Sequence, residues 1–260
     1  MDVTTVRAQI RALDSGRGVL DLEDWDATEV RGADAQAWLN DLVTASVEDL
    51  PSGETVRSLL LGPTGRIRAD LQVAREDGGF LLLQGPGQPE PIAELLDPYV
   101  LSSAVELVPA GLDGLAPIPR PGPRWSLADG GSERVFVGSQ AFDAWRVRHA
   151  IPAFPADVDA ESVPSEAGLD QEPVIDRDKG CYLGQESVAR IRNLGHPPRL
   201  VVPVEADGSV HNGDRVFSTG AEVGIVTSAE PFGPSAMVRI RWDARDLELT
   251  TGKETTLRRR

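Results

Sequence analysis

The stretch Asp178-Lys179-Gly180-Cys181-Tyr182-Leu183-Gly184-Gln185-Glu186 contains the chain's one cysteine, set between two glycines. Residues 187–192 follow it with a mixture of apolar and arginine positions that predicts a helix. Cys181 then precedes a helix amino terminus and lies two residues from Lys179. Both features favour the thiolate form of a cysteine. The stretch therefore predicts a reactive thiol, and the alternative is a buried, inert cysteine in a tight strand-to-helix turn.

The composition limits the classes of protein to consider. A chain of 260 residues predicts two or three compact units. Its 26 basic and 41 acidic residues give a net charge of -15, which argues against direct binding to nucleic acid or to an anionic membrane. No apolar run is long enough to span a bilayer and no signal-peptide pattern is visible, so we expect a cytoplasmic protein. One cysteine and three dispersed histidines predict neither a disulfide framework nor a metal site.

The first part of the chain alternates short helical and strand patterns. Apolar residues at helical spacing predict a helix over residues 33–42. Helices are also predicted over 92–96, after a cluster of glycine and proline, and over 142–151, which Pro152 ends. Strands are predicted over 18–22, 55–61, 66–73, 80–83, 104–108 and 134–137, and Gly62-Pro63-Thr64-Gly65 is typical of a hairpin turn. The segment 109–123 is rich in proline and glycine and is interpreted as a linker or long crossing loop. The acidic run 157–161 is interpreted as a solvated loop.

The character of the sequence changes after Pro197-Pro198, which ends the preceding helix. From Leu200 onward, short apolar segments alternate with glycine turns at residues 207–208, 212–213 and 219–220. This spacing predicts a small antiparallel barrel or sandwich. We therefore divide the chain into residues 1–198 and a C-terminal β-unit over residues 199–260.

The signature Lys179-Gly180-Cys181-Tyr182-Leu183-Gly184-Gln185-Glu186 resembles that of the YgfZ-type folate-binding proteins, relatives of the glycine-cleavage aminomethyltransferase, the T-protein. Further similarity lies at residues 30–35, 60–67, 164–169 and 223–228, so the resemblance covers nearly the whole chain. It implies an α+β fold in which two intertwined α/β subdomains surround a central folate pocket. A small C-terminal antiparallel β-barrel follows them.

The resemblance also implies a function. Such a protein binds tetrahydrofolate or a derivative and acts as an accessory factor in the assembly or repair of iron–sulfur clusters, including those of some tRNA-modifying enzymes. Its partners are then folate and iron–sulfur client or assembly proteins, and it is not a classical enzyme. The cofactor-binding residues of the signature are Lys179, Gly180, Tyr182, Gln185 and Glu186. Cys181 is a reactive thiol or transient ligand, and a cluster there needs further ligands from elsewhere.

Two positions outside the signature also bear on folate. Asp70 occupies the place at which the T-protein has an acidic residue that contacts folate, and a carboxylate there can accept a hydrogen bond or a proton from a folate amine. The alternative is an exposed Asp70 paired with Arg66 or Arg68. Arg148 stands where the T-protein has a glutamate that holds the pterin. Because a guanidinium accepts no hydrogen bond, Arg148 is predicted to meet a folate carboxylate or another anion, or to lie on a solvated face.

Two other functions compete with the accessory role. One is a folate-dependent one-carbon transferase of the aminomethyl type, in which Asp70 positions the folate amine. Arg148 speaks against this function, and it leaves the conspicuous Cys181 without a role. The other is an interaction module whose folate pocket is vestigial. Titration with a tetrahydrofolate separates the last function from the first two, and a transfer assay separates the transferase from the accessory protein.

Overall fold

The structure, a computed structural model, describes residues 3–101, 103–129, 134–252 and 255–260. The α-helices in this part of the chain are α1 (Val3–Asp14), α2 (Ala35–Asn40), α3 (Ile92–Leu96), α4 (Ser139–Arg148) and α5 (Gln185–Leu194). The strands are β1 (Gly18–Leu20), β2 (Asp26–Arg31), β3 (Glu54–Leu61), β4 (Ile67–Glu76), β5 (Gly79–Gln84), β6 (Glu106–Pro109), β7 (Leu115–Ile118), β8 (Arg124–Asp129), β9 (Val135–Val137), β10 (Arg199–Ala206), β11 (Arg215–Ser218), β12 (Ala221–Ala229), β13 (Ser235–Arg241), β14 (Leu249–Thr251) and β15 (Thr256–Arg259). None of the described helices is both long and apolar enough to span a bilayer.

A seven-stranded antiparallel sheet in the order β6-β2-β5-β4-β3-β8-β7 forms the centre of the first unit. The hairpin β3–β4 lies in its middle, and the Gly62 amide donates to the carbonyl of Arg66 to close the turn. Residues 69, 71 and 73 of β4 pack into the main core with α2 and α3. The alternating residues point to the other face of the sheet, which holds the candidate site.

The chain returns to this second face from distant segments. Helix α1, from the start of the chain, packs against α4 through Ile10 and Trp145, and the Trp145 indole donates to the Asp14 carboxylate over 2.9 Å. Strands β1 and β9 pair in parallel beside these helices. Because the second face is covered in this way, polar residues of β3 and β4 that alternate with core residues are themselves largely enclosed.

The C-terminal strands close into a six-stranded barrel in the order β10-β13-β12-β11-β14-β15. Its interior is apolar and includes Val204, Val226, Val238 and Ile240. The predicted mixed fold with a small C-terminal antiparallel β-barrel is confirmed. The division at residue 198 stays a prediction, although β10 begins at Arg199.

The segment 109–123 corrects one interpretation, because it is not simply a linker. Its residues 115–118 form β7, which pairs with β8 at the edge of the large sheet. The strand was not predicted because proline and glycine on both sides of it are typical of loops. Its short run of residues, Leu115 to Ile118, is nevertheless largely buried. The sequence analysis also did not predict α1, β2 or β8. Helix α3, in contrast, has the predicted bounds.

Candidate functional site

A cavity of about 230 Å³ lies on the second face of the hairpin β3–β4. Its walls are mainly apolar and aromatic, contributed by the segments around β1, by β8, by α4 and by residues 151–156. The aromatic lining residues are Trp25, Trp125, Phe142 and Phe154. Trp125 contacts Trp25 and Phe142 edge to face, with ring centroids 6.3 and 5.8 Å away. Flat aromatic walls of this kind suit a planar ligand.

Asp70 lines this cavity and is paired with Arg57. The alternative of an exposed Asp70 paired with Arg66 or Arg68 is therefore wrong. Arg57 Nε donates to Asp70 Oδ1 over 2.9 Å, and Arg57 Nη2 donates to Asp70 Oδ2 and to the Pro152 carbonyl. The two side chains are 10% and 12% exposed. Arg66 and Arg68 instead pair with Glu161 and Glu90, respectively.

The main chain of Asp70 is fixed by Gln88. Strand β5 begins its pairing with β4 only at Leu71, so the outward amide and carbonyl of Asp70 have no strand partner on that side. The Gln88 side chain replaces that strand, because its Oε1 accepts from Asp70 N over 3.0 Å and its Nε2 donates to Asp70 O over 2.8 Å. Gln88 also lines the cavity, so the loop after β5 closes one side of it.

Arg146, on α4, lines the cavity from the other side and is 4% exposed. It donates to Asp143 Oδ1 over 2.8 Å, to Asp157 Oδ2 over 2.7 Å and to the Ser228 hydroxyl over 2.9 Å. Burial lowers the pKa of Arg146, but the carboxylates of Asp157 and Asp143 outweigh this effect, so its pKa is raised. The residue is therefore a permanent cation held by fixed partners rather than a solvated arginine.

Asp157 corrects the interpretation of the acidic run 157–161 as solvated, because its side chain is fully buried. Its carboxylate accepts hydrogen bonds from Arg146, from the amide of Ala153, and from the hydroxyls of Thr227 and Ser228. The last two residues belong to the barrel strand β12. Asp157 can be buried because a buried arginine and two hydroxyls of the barrel donate hydrogen bonds to its carboxylate. No local sequence pattern indicates these distant partners.

Arg148 lies two residues beyond Arg146 on α4 and does not line the cavity. Its side chain is 40% exposed and pairs with the buried carboxylate of Glu230, which follows β12. Two residues along a helix correspond to opposite sides of its axis. For this reason the structure brings Arg146, and not Arg148, to the cavity. A ligand contact of Arg148 stays a prediction.

The signature loop lies elsewhere on the surface. Cys181 is exposed, so the alternative of a buried cysteine is wrong, and the reactivity of its thiol stays a prediction. The loop is held at one end by Asp176 Oδ1, which accepts from the amides of Asp178 and Lys179. Lys179 Nζ donates to the carbonyls of residues 43 and 45, each over 2.8 Å. Burial lowers the pKa of Lys179 to about 8, although nearby carboxylates oppose the shift.

Gly184, three residues after Cys181, allows α5 to approach the hairpin. Gly184 has a φ of 82° and precedes α5, and a Cβ atom there would lie 2.6 Å from the Gly62 carbonyl oxygen. Ser187 donates to the Pro63 carbonyl over 3.1 Å. Gln185 is half-buried at the start of α5, whereas Glu186 is exposed and pairs with Arg190. Gly180 is exposed and has open space around it.

The structure therefore separates the two predicted groups of site residues. Asp70 lines the cavity, and none of Lys179, Gly180, Cys181 and Tyr182 does. One apolar cluster joins the two places, because Tyr182 packs in the same cluster as Phe154, which lines the cavity. Burial also raises the pKa of Tyr182. In the described residues, no group of three or more His, Cys, Asp or Glu is arranged to hold a metal ion.

Arg57 and Gln72 are cavity residues that the sequence analysis did not select. The available signal was an arginine in the middle of the mainly apolar strand β3, where a buried arginine requires a partner. Gln72 lies two residues from Asp70 on the same face of β4, but nothing in the sequence showed that this face was covered. Of these three cavity residues, the sequence analysis selected Asp70 alone as a candidate. Only the tertiary structure shows that Arg57 and Gln72 line the same cavity.

Comparisons with known proteins agree with this fold. The family model of the GCVT N-terminal domain matches residues 3–108. The tRNA-modifying protein YgfZ of Klebsiella pneumoniae (strain 342) is 23% identical over 228 residues, which cover 70% of each chain. The mitochondrial iron-sulfur cluster assembly factor IBA57 homolog of Aspergillus oryzae is 33% identical over 128 residues, covering 46% of this chain and 28% of that protein.

A solved structure is similar over almost the whole chain. The glycine cleavage system aminomethyltransferase T from Bartonella henselae superposes with a TM-score of 0.76 at 18% identity, and the match covers 96% of this chain and 87% of that one. At this identity the likeness shows a shared fold. Together with the sequence matches, it confirms the predicted resemblance to the YgfZ-type proteins and to the aminomethyltransferase T-protein.

Proposed function

We propose that this chain, similar to the YgfZ and IBA57 relatives, is a folate-binding accessory protein for the assembly or repair of iron–sulfur clusters. Its clients include tRNA-modifying iron–sulfur enzymes, and it acts in the cytoplasm without binding nucleic acid itself. The observation that carries the folate part is the aromatic cavity with the Asp70 carboxylate in its wall. The names of the relatives, a tRNA-modifying protein and a cluster assembly factor, support the cellular role.

The residues of the cavity fit the ring end of a tetrahydrofolate. Trp25, Trp125 and Phe142 offer apolar surfaces to a flat heterocycle, and Asp70 offers carboxylate oxygens to its N–H groups. The volume of about 230 Å³ is below the roughly 300–1,000 Å³ of pockets that enclose a whole small molecule. We therefore expect the ring to lie inside the cavity and the remainder of the folate to extend out of it.

Cys181 has a separate role in this proposal. Its thiol is exposed in the signature loop and is available to a partner protein. A single thiolate is too few to hold an iron–sulfur cluster. The other ligands would come from a client or assembly protein, from a second subunit or from a small thiol. The apolar cluster that contains Phe154 and Tyr182 lies between the cavity and the signature loop.

A one-carbon transferase of the aminomethyl type is the second candidate, and the position of Asp70 in the cavity wall favours it. The two functions differ in turnover. An aminomethyl-transfer assay with tetrahydrofolate should give no product above background if the chain is an accessory protein. Product formation that depends on Asp70 would replace the first proposal with the second.

The direct test of folate binding is isothermal titration with tetrahydrofolate under nitrogen, and we expect saturable binding with one ligand per chain. Absence of binding would leave a vestigial pocket and remove folate from the proposal.

The cellular role is tested by deleting the gene and measuring the activity of an iron–sulfur tRNA-modifying enzyme. Wild type should restore that activity, as should the surface control Asp243→Asn, whereas Asp70→Asn and Cys181→Ala should not. Equal restoration by all four would contradict the role.

A further inference from the structure

The floor of the cavity carries two buried polar side chains with unused hydrogen-bond donors. Arg57 of β3 and Gln72 of β4 are direct cross-strand partners, and Asp70 lies two residues from Gln72 on the same face. All three line the cavity. Arg57 is 8% exposed and Gln72 is 5% exposed, so the protein encloses both almost completely.

Most of the polar atoms of this group have partners within the protein. Arg57 uses Nε and Nη2 for Asp70 and for the Pro152 carbonyl. The Thr55 hydroxyl donates to Gln72 Oε1 over 2.6 Å. Two donors are left over, because Arg57 Nη1 and Gln72 Nε2 bond to no residue that the structure describes, and neither is a fully buried atom. Both therefore reach open space, and the space beside these side chains is the cavity.

Unused donors in nearly buried side chains call for an acceptor, since polar groups enclosed by protein are almost always hydrogen-bonded. The acceptor that satisfies them has to be brought by a ligand or by water. Asp70 supplies the opposite function beside them, because carboxylate oxygens only accept. The floor thus presents donors next to an acceptor, which is the complement of a ring carbonyl next to a ring N–H.

We propose that Arg57 and Gln72 determine the specificity of this site by donating hydrogen bonds to a ring carbonyl oxygen, while Asp70 accepts from the neighbouring ring N–H. The ligand class is a planar heterocycle with a lactam edge. The inference rests on the proposed folate binding and deepens it, since the pterin ring has such an edge. It assigns these two residues to ligand recognition rather than to support of Asp70 alone.

The arrangement selects against a ring in which an amino group replaces the carbonyl. That amino group would turn its own donors toward Arg57 and Gln72, and both would be left without an acceptor. Sites that hydrogen-bond a ligand strongly disfavour analogues that leave their buried polar groups unpaired. Folic acid and aminopterin differ at this one position of the ring, so they form a matched pair of probes.

The experiment is isothermal titration of the full chain with folic acid and with aminopterin. We expect wild type to bind folic acid at least about tenfold more tightly, which corresponds to about 1.4 kcal/mol. Gln72→Met and Arg57→Lys each remove a free donor. Each should weaken folic acid binding by about tenfold and change aminopterin binding less than about threefold. Arg68→Gln is the matched control, because Arg68 lies on the same strand but pairs with Glu90 outside the cavity.

The possible outcomes distinguish the specificity role from folate binding itself. Equal binding of the two probes by wild type, or equal losses for both probes in the variants, would overturn the roles of Arg57 and Gln72 while folate binding stands. Failure of wild type to bind tetrahydrofolate and both probes would overturn both proposals. Thermal unfolding identifies a variant that does not fold. Gln72→Met retains the pair between Arg57 and Asp70, so it decides the question if Arg57→Lys is unfolded.

Discussion

Arg146 Nη1 lies 2.7 Å from Asp157 Oδ2, and this ion pair connects the wall of the cavity to the C-terminal barrel. Asp157 is fully buried and also accepts hydrogen bonds from Thr227 and Ser228 of β12. Removal of either charge of this buried ion pair strongly destabilises the fold, because the other charge is left buried without a partner. The pair therefore holds three parts of the fold in one arrangement: α4, the loop after it and the barrel.

Asp157→Asn should reduce the free energy of unfolding by about 3 kcal/mol, the lower end of the range for breaking a buried ion pair, because Asp143 still faces Arg146. Urea denaturation measures the change. The control Asp243→Asn disrupts the exposed pair with Arg241 and should cost less than about 0.5 kcal/mol. Similar values for the two variants would contradict the role given to Asp157.

Asp70→Asn should weaken tetrahydrofolate binding by about 1.5–3 kcal/mol, the range for a hydrogen bond to a charged group. Titration of the variant and the wild type measures this loss, and an unchanged isotherm would remove Asp70 from the site. The larger change Asp70→Ala should also reduce stability. It leaves the nearly buried Arg57 without its partner, which the sequence alone did not indicate.

The exposed thiol of Cys181 should react with iodoacetamide in the native protein as well as in denaturant. Cys181→Ala should change the free energy of unfolding by less than about 0.5 kcal/mol, as for other exposed positions, yet lose most of the cellular function. Because the chain has one cysteine, the alanine variant also serves as the unlabelled control. Labelling that requires denaturant, together with full complementation, would contradict the proposal for the thiol.

Lys179 should make stability depend on pH in the alkaline range. Its pKa is lowered by burial from 10.5 to about 8 in the folded chain, so between these values the unfolded state binds more protons. The contribution of Lys179 to the free energy of unfolding therefore rises as the pH increases from about 8 to about 10.5. Urea denaturation measures the free energy of unfolding of wild type and of Lys179→Met. The value for wild type minus the value for the variant should increase over this window. A constant difference would mean that the lysine stays charged.

A chain that ends at Pro198 should be less stable and less soluble than the full chain. Without the barrel, Asp157 loses the hydroxyls of Thr227 and Ser228, and Glu230 is no longer present to pair with Arg148. Limited proteolysis of the full chain tests the proposed division, and we expect an early cut near Pro197. A fragment as stable and soluble as the intact chain would show that the barrel does not support the first unit.

The sequence by itself determined the features that depend on neighbouring residues. The hairpin around Gly62 and Gly65, the helix over residues 92–96 and the barrel strands separated by glycine turns follow from local periodicity and turn chemistry. The signature around Cys181 indicated the resemblance to the YgfZ-type proteins and the start of α5. These predictions hold because the physical causes act over a few residues, which a pattern records directly.

The tertiary structure alone decided which polar residues meet. Arg57 and the Pro152 carbonyl are 95 residues apart, and Arg146 and Ser228 are 82 residues apart. Burial of Asp157 and the opposite orientations of Arg146 and Arg148 depend on surfaces that distant segments bring together. The charge of a side chain is visible in the sequence, but its environment is set by long-range packing. For this reason the sequence predicted Asp70 as a site residue, and the fold determined what surrounds it.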